Sequence, residues 1–150
     1  MTDSIFSKII RGEIPAHKLY EDDFVIAILD INPLSEGHTL VITKEPAETL
    51  DQLSDDHAGA LGHALPRICR AIKKVTGCTS YNILQNNGSA AGQEVPHVHV
   101  HVIPCYPGRG TPVAGKPDKD NGPGLEKQWH PGTLTQEEAL ELGKQIKRLL

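Results

Sequence analysis

The spacing of apolar positions changes along the chain, and each change predicts an element. Near the N-terminus, Asp3 or Ser4 can cap a short helix running through Arg11. Phe6 and Ile9 would form its packed face, Gly12 closes it and Pro15 follows. Lys18–Glu21 and residues 24–29 read as strands joined at Asp22-Asp23 in a hairpin, and Thr39–Thr43 reads as a third strand. Ser54 can cap a long helix to about Val75, because Leu61, Leu65, Ile68, Ile72 and Val75 recur at helical spacing. Pro66 removes one N–H and crowds the preceding turn, so a bend is expected there, with Gly77 ending the helix. Residues 81–85 and 98–103 complete five strands. Short links favour an antiparallel sheet with the helices on one face, an α+β fold.

Residues 107–132 hold six glycines and five prolines, which excludes regular structure, together with the only tryptophan, Trp129. The reading there is an anchored loop bordering the functional cleft, or one that only covers the core. Thr135-Gln136-Glu137-Glu138 forms a capping box for a last helix over 135–149, with Ala139, Leu142, Ile146 and Leu149 as its buried stripe. The chain reads as one domain, with a core at about 4–106 and a C-terminal extension.

The densest chemistry lies in the last strand. His97, His99 and His101 alternate with Val98, Val100 and Val102. In an extended strand the valines should enter the core while the three imidazoles emerge together on one surface, about 6.6 Å apart at ~3.3 Å per residue. Histidine suits proton traffic and nucleophilic attack at neutral pH. A metal site is the competing reading. His97 and His101 would be ~13 Å apart at Cα, so one ion would need outside ligands such as His38 or an acid. Covalent catalysis fits the spacing better: the middle ring attacks, and its neighbours hold its tautomer. A neutral imidazole is not repelled by phosphate oxygens. The glycine-containing loop at residues 86–93 would let backbone N–H groups approach an anion. Together they point to a phosphorylated substrate.

The segment His97-Val-His99-Val-His101-Val-Ile resembles the histidine triad (HIT) motif. Gly12-Glu13-Ile14-Pro15, Leu29-Asp30-Ile31-Asn32-Pro33, Gly37-His38-Thr39-Leu40-Val41-Ile42 and Ala91-Gly92-Gln93 extend the likeness to the histidine triad nucleotide-binding branch of that family. The resemblance implies a HIT-like fold, a homodimer, and nucleotidyl hydrolysis or transfer at the α-phosphate without a catalytic metal or other cofactor. It implies His99 as nucleophile, His97 and His101 as supporting phosphate contacts, and His38 in the same cluster. It places Asp30 at the ribose hydroxyls, and Asn86, Gly92 and Gln93 on the phosphate side. Phe6, Ile9, Ile28, Ile31 and Leu40 would sandwich a purine. Each also has an ordinary reading: helix packing for Phe6 and Ile9, strand core for Ile28 and Ile31, turn chemistry for Asp30 and Asn86.

Three positions depart from the family pattern. Many relatives carry a zinc-binding Cys-x-x-Cys where this chain has Ser4 and Ser7, and hydroxyls are poor zinc ligands, so zinc is expected to be absent. Glu94 stands where serine or threonine is often found near the leaving group, and its carboxylate would repel an anionic leaving group or favour a protonated histidine. Thr43 replaces a common proline.

Composition narrows the picture further. With a net charge of −4 and no Lys/Arg cluster, the chain lacks the positive footprint of a nucleic-acid surface. No apolar run approaches ~18 residues and no signal peptide opens the sequence, so the expectation is a cytoplasmic protein away from membranes. Cys69, Cys78 and Cys105 fit free thiols. The activity expected is hydrolysis of purine nucleoside 5′-phosphoramidates or related nucleotide derivatives. Dinucleoside polyphosphate hydrolysis, or a nucleotide-binding interaction module with vestigial turnover, are the alternatives.

Overall fold

A computed structural model describes residues 3–108 and 135–150. Five strands form one antiparallel sheet: β1 (Lys18–Glu21), β2 (Val25–Leu29), β3 (Thr39–Thr43), β4 (Ser80–Leu84) and β5 (His99–Cys105), in the order β1-β2-β3-β5-β4. Among the described residues three α-helices accompany it, α1 (Ile5–Ile10), α2 (Asp55–Thr76) and α3 (Gln136–Lys147). The reading of Trp129 and its loop lies outside the described residues. Among the described residues, no helix is long and apolar enough to cross a membrane.

Local chemistry sets the element ends. Ser4, Ser54 and Thr135 each accept a backbone N–H three residues on, at Ser7, His57 and Glu138. The β1–β2 turn is held by Asp22, whose Oδ1 accepts the amides of Phe24 and Val25. Gly77 closes α2 in the left-handed region, with φ +76°. The long helix continues through Pro66 as one element. Pro66 and Gly62, whose carbonyl the proline cannot serve, are both exposed, so water can satisfy the orphan oxygen.

Alternation along the strands divides the interior into two cores. Val25, Ala27, Leu29, Val41, Val98, Val100 and Val102 pack with Leu61, Ile68 and Ile72 of α2 and with Ala139, Leu142 and Ile146 of α3. The intervening Ile26, Ile28, Leu40 and Ile42 pack on the opposite face with Phe6 and Ile9 of α1. The expectation of helices on one face is therefore corrected: α1 covers the face opposite α2 and α3. The reason lies in β2 and β3, every residue of which is buried. Strands apolar on both faces need cover on both. Leu149, expected in the α3 stripe, lies beyond the helix end and is 44% exposed.

Candidate functional site

The register of β3 against β5 pairs Ile42 with His99 and Leu40 with His101, while β2 pairs Ile26 with Ile42 and Ile28 with Leu40. The histidines thus extend two apolar rows across the face that α1 covers. They share one face, as alternation requires, but they do not emerge into open water. His97 is 1% exposed and His99 6% exposed, and only His101 is half-buried. Phe6 of α1 meets the His97 and His99 rings edge-on, at centroid distances of 6.0 and 4.9 Å.

Hydrogen-bond partners fix the proton on each ring. The Thr43 carbonyl lies 2.6 Å from His97 Nε2, so that nitrogen donates, and Nδ1, 2.8 Å from Ser4 Oγ, accepts the serine hydroxyl. Ser4 Oγ also accepts the Ser7 amide at 3.0 Å, which makes helix cap and histidine anchor one unit. Both nitrogens of His97 are engaged inside the protein. Its link to the next histidine runs through its main chain: His99 Nδ1 donates to the His97 carbonyl at 2.6 Å. His99 Nε2 therefore carries the lone pair.

His101 and His38 form the other half of the cluster. His101 lies 5.1 Å from His99 and 5.2 Å from His38 between ring centroids. His38, 2% exposed, accepts the Leu34 amide on Nδ1 at 3.0 Å. Its Nε2 must then donate, and it faces His101 Nδ1 at 2.9 Å and Asp30 Oδ2 at 3.5 Å. Burial pushes His38 down to about 4, with a smaller contribution from His99, and does the same to His101 with His38 and His99 adding. Burial also holds His97 and His99 below the usual histidine range. All four rings are neutral at pH 7.

The other residues singled out by the sequence are placed as follows. Phe6, Ile9, Ile28 and Leu40 are all packed in the second core, whereas Ile31 is 71% exposed beside half-buried Asp30. Asp30 does initiate a turn, its Oδ1 accepting the Asn32 amide at 2.8 Å, while its other oxygen faces His38. Asn86 Nδ2 donates to the Gly92 carbonyl at 3.3 Å. Gly92 has φ +95°, and a Cβ there would stand 3.4 Å from the Asn86 side chain. Gln93 serves as a clamp: Oε1 accepts the Gly88 amide, and Nε2 donates to the carbonyls of Glu48 and Val95. Glu94 is exposed, and its negative charge, with that of Asp30, bears on His99.

Ser4, Thr43, Leu34 and Ser35 belong to the site's support; of these the sequence singled out Ser4, as a cap, and Thr43, as a departure from the family pattern, but neither as a histidine partner. Ser35 donates to the Pro104 carbonyl at 2.6 Å and tacks the loop that presents Leu34 onto the end of β5. Thr43 and Leu34 contribute main-chain atoms, which any residue could supply.

Among the described residues two groupings invite a metal, and neither presents a fitting ligand set. Ser4 and Ser7 offer only hydroxyls, which are poor zinc ligands, and Ser4 Oγ is hydrogen-bonded directly to His97. Asp30, His38 and His101 place one ligand atom each within 4.8 Å of the others. Yet the Leu34 amide occupies the Nδ1 lone pair of His38, which leaves a proton, not a lone pair, on the nitrogen facing the other two.

Comparison with known proteins identifies the family and the fold. The HIT domain family model matches residues 11–108. Adenylylsulfatase HINT3 of Arabidopsis thaliana is 51% identical over 102 residues, 68% of this chain, and the match spans 52% of that relative's own length. Adenosine 5′-monophosphoramidase hnt1 of Schizosaccharomyces pombe is 40% identical over 142 residues, covering 95% of this chain and 94% of its own. Among solved structures, a HIT-like protein from Bartonella henselae superposes with a TM-score of 0.79 at 32% identity, covering 99% of this chain and 97% of its own. A zinc-bound histidine triad family protein from Mycobacterium smegmatis gives 0.75 at 29% identity, covering 97% and 91%. With its motif running from His97 into β5, its five-stranded antiparallel sheet and these likenesses, the chain belongs to the HIT domain family.

Proposed function

We propose that this protein hydrolyses purine nucleoside 5′-phosphoramidates at the α-phosphate through a nucleotidyl-histidine intermediate. The observation carrying this reading is the 2.6 Å bond from His99 Nδ1 to the His97 carbonyl, which leaves Nε2 as an unprotonated nucleophile. His99 Nε2 attacks phosphorus, the P–N bond breaks, and the amine leaves with a proton from solvent. Water then cleaves the N–P bond to His99, releasing the mononucleotide and restoring the ring. His101, neutral at pH 7, holds a phosphoryl oxygen by a hydrogen bond from Nε2 and keeps its proton, since losing it would create an imidazolate.

Around that step, Asp30 takes the ribose hydroxyls and exposed Ile31 meets the base, with Phe6, Ile9, Ile28 and Leu40 forming the apolar floor beneath. Asn86, Gly92 and Gln93 shape the phosphate loop, Gln93 by clamping it. The His97 ring locks α1 to the end of β3 while its carbonyl orients His99. The names of two relatives, a monophosphoramidase and an adenylylsulfatase, favour a small leaving group on a mononucleotide. A second copy of the chain fits edge strand β4, where Tyr81 is 38% and Ile83 48% exposed.

The test is product analysis and trapping. Incubated with adenosine 5′-phosphoramidate, the protein releases AMP, and an acid quench with labelled substrate leaves label on His99. His99→Ala abolishes turnover, by at least about 10³-fold, while still binding AMP. Preferential turnover of a dinucleoside polyphosphate, or label on another residue, overturns the proposal. Unaltered turnover in His99→Ala does the same.

A further inference from the structure

Folding brings Leu149 and Leu150 against a basic flank of α2. Arg67, Arg70 and Lys74 recur there at helical spacing, so they share a helix face, and all three are exposed. With Ala71, Leu149 and Leu150 they line a cavity of about 250 Å³ between α2 and the residues that follow α3. Among the described residues, none of the three cations is ion-paired to a carboxylate. On a chain of net charge −4, that row is an unmatched positive site. We propose that this groove docks a short acidic segment of a partner protein, its carboxylates on the three cations and an apolar side chain seated against Ala71 and Leu149.

One cation is already held in place. Arg67 Cζ lies 5.6 Å from the Tyr20 ring centroid, and Tyr20 is itself anchored by donating to Asp22 Oδ2 at 2.7 Å. Tyr20 belongs to β1, so this flank of α2 faces the β1 edge of the sheet. Cys69, on the opposite flank, faces Tyr81 of β4, the edge that fits a second copy. Both surfaces can therefore be used at once. Leu149 gives the groove its apolar side, and its 44% exposure, against a period that marks it for burial, leaves a contact to be made. Size and charge then choose among anions. A volume of about 250 Å³ is below the roughly 300–1,000 Å³ of pockets that enclose whole small molecules, and it suits one anchoring side chain. Arg67 to Lys74 spans ~10 Å of helix at ~1.5 Å per residue, the length of about three extended residues. A long polyanion fits poorly, because it would run on to Glu137, Glu138 and Glu141, which line a neighbouring cavity with Val75 of α2. Phosphates would also gain nothing from the leucines.

The groove does not depend on the chemistry at His99, so its test needs no turnover. The probe is a fluorescein-labelled peptide of glutamates flanking two leucines, titrated with the full chain and followed by anisotropy, with amide ¹H–¹⁵N shifts mapped in parallel. Saturable binding with Kd below about 1 mM is expected, weakening as salt is raised. The shifted amides should be those of residues 67–74 and 148–150. Arg70→Glu/Lys74→Glu should raise Kd by about tenfold or more, whereas the charge-preserving Arg70→Lys should change it by less than about twofold. Leu149→Ser, or glycines in place of the peptide's leucines, should each weaken binding by about threefold or more. All these side chains are exposed, and circular dichroism should confirm that each variant is folded like the parent. Absence of binding below about 1 mM, or shifts centred elsewhere, overturns the proposal. A charge-reversed variant with parent affinity, or a glycine peptide that binds as tightly, does the same. So does tighter binding of inorganic tripolyphosphate or of a single-stranded DNA oligomer, either of which would make the groove a phosphate site.

Discussion

Holding four imidazoles neutral inside the protein should make its stability depend on pH in a window where few other groups titrate. His38 and His101 are pushed by burial to about 4 in the folded state, against about 6.5 in the unfolded chain. Between those values the unfolded chain holds about one extra proton per histidine. Stability therefore rises with pH through the window: it is full above about 6.5 and is lost as pH falls toward 4. Each such histidine contributes a slope of about 1.4 kcal/mol per pH unit, so the pair costs about 5 kcal/mol between pH 7.5 and 4.5. His97 and His99 are shifted the same way and add to the loss. The carboxylates held low by their partners, such as Glu21 beside Lys44, lose their contribution only as pH falls further, from about 4.5 downward. A loss of ~5 kcal/mol is comparable to the whole stability of many domains, so acid unfolding should begin near pH 5. Urea titrations followed by circular dichroism at half-unit steps from pH 8 to 4.5 measure it directly. His38→Gln and His101→Gln should each flatten the curve by about 1.4 kcal/mol per unit. Constant stability from pH 7.5 to 5, or variants with the parent slope, would refute the reasoning.

Three further outcomes are expected. Because burial keeps His99 below its usual range, the acid limb of kcat/KM for the phosphoramidate should lie below pH 6.5, and a limb at or above 7 would contradict a buried neutral nucleophile. Ser4→Ala removes a helix cap and strands His97 Nδ1, so it should lower unfolding free energy by about 2–4 kcal/mol in urea titration, and a loss below about 0.5 would mean that the Ser4–His97 bond carries little. Exhaustive chelation should leave turnover unchanged, since neither metal grouping presents a fitting ligand set; activity lost to chelator and restored by Zn²⁺ would contradict that.

Much of this fold was legible because local signals agreed with one another. The caps at Ser4, Ser54 and Thr135, the Asp22 turn and the valine alternation on β5 each pointed to the element that forms. The placement of α1 was legible in principle. Val25–Leu29 is an unbroken apolar run, and such a strand demands cover on both faces. The burial of His97 and His99 follows from that cover and could not be read from their spacing. Leu149 illustrates a different limit. Its period matches Ala139, Leu142 and Ile146, but the helix ends first, and period alone does not mark an end.

The direction of the protons was the least legible part, and the structure gives a physical reason. In every ring the decisive partner is a main-chain atom: the Thr43 carbonyl for His97, the His97 carbonyl for His99, and the Leu34 amide for His38 and, through it, His101. Main-chain atoms are the same whatever the residue, so no side-chain motif can announce them. They are also the partners whose protonation does not change with pH, which makes them the surest means of assigning a tautomer. Burial supplies the other condition. An imidazole in water would protonate near pH 6.5 and lose its tautomer, whereas one pushed to about 4 keeps a single proton on a fixed nitrogen through the neutral range. The same desolvation that makes the domain fragile in acid therefore keeps a lone pair on His99 and a donor on His101. Phe6→Ala, which uncovers His97 and His99, should lower stability at neutral pH, flatten its further fall toward acid in urea titrations, and lose turnover, whereas an unchanged pH slope would contradict the link.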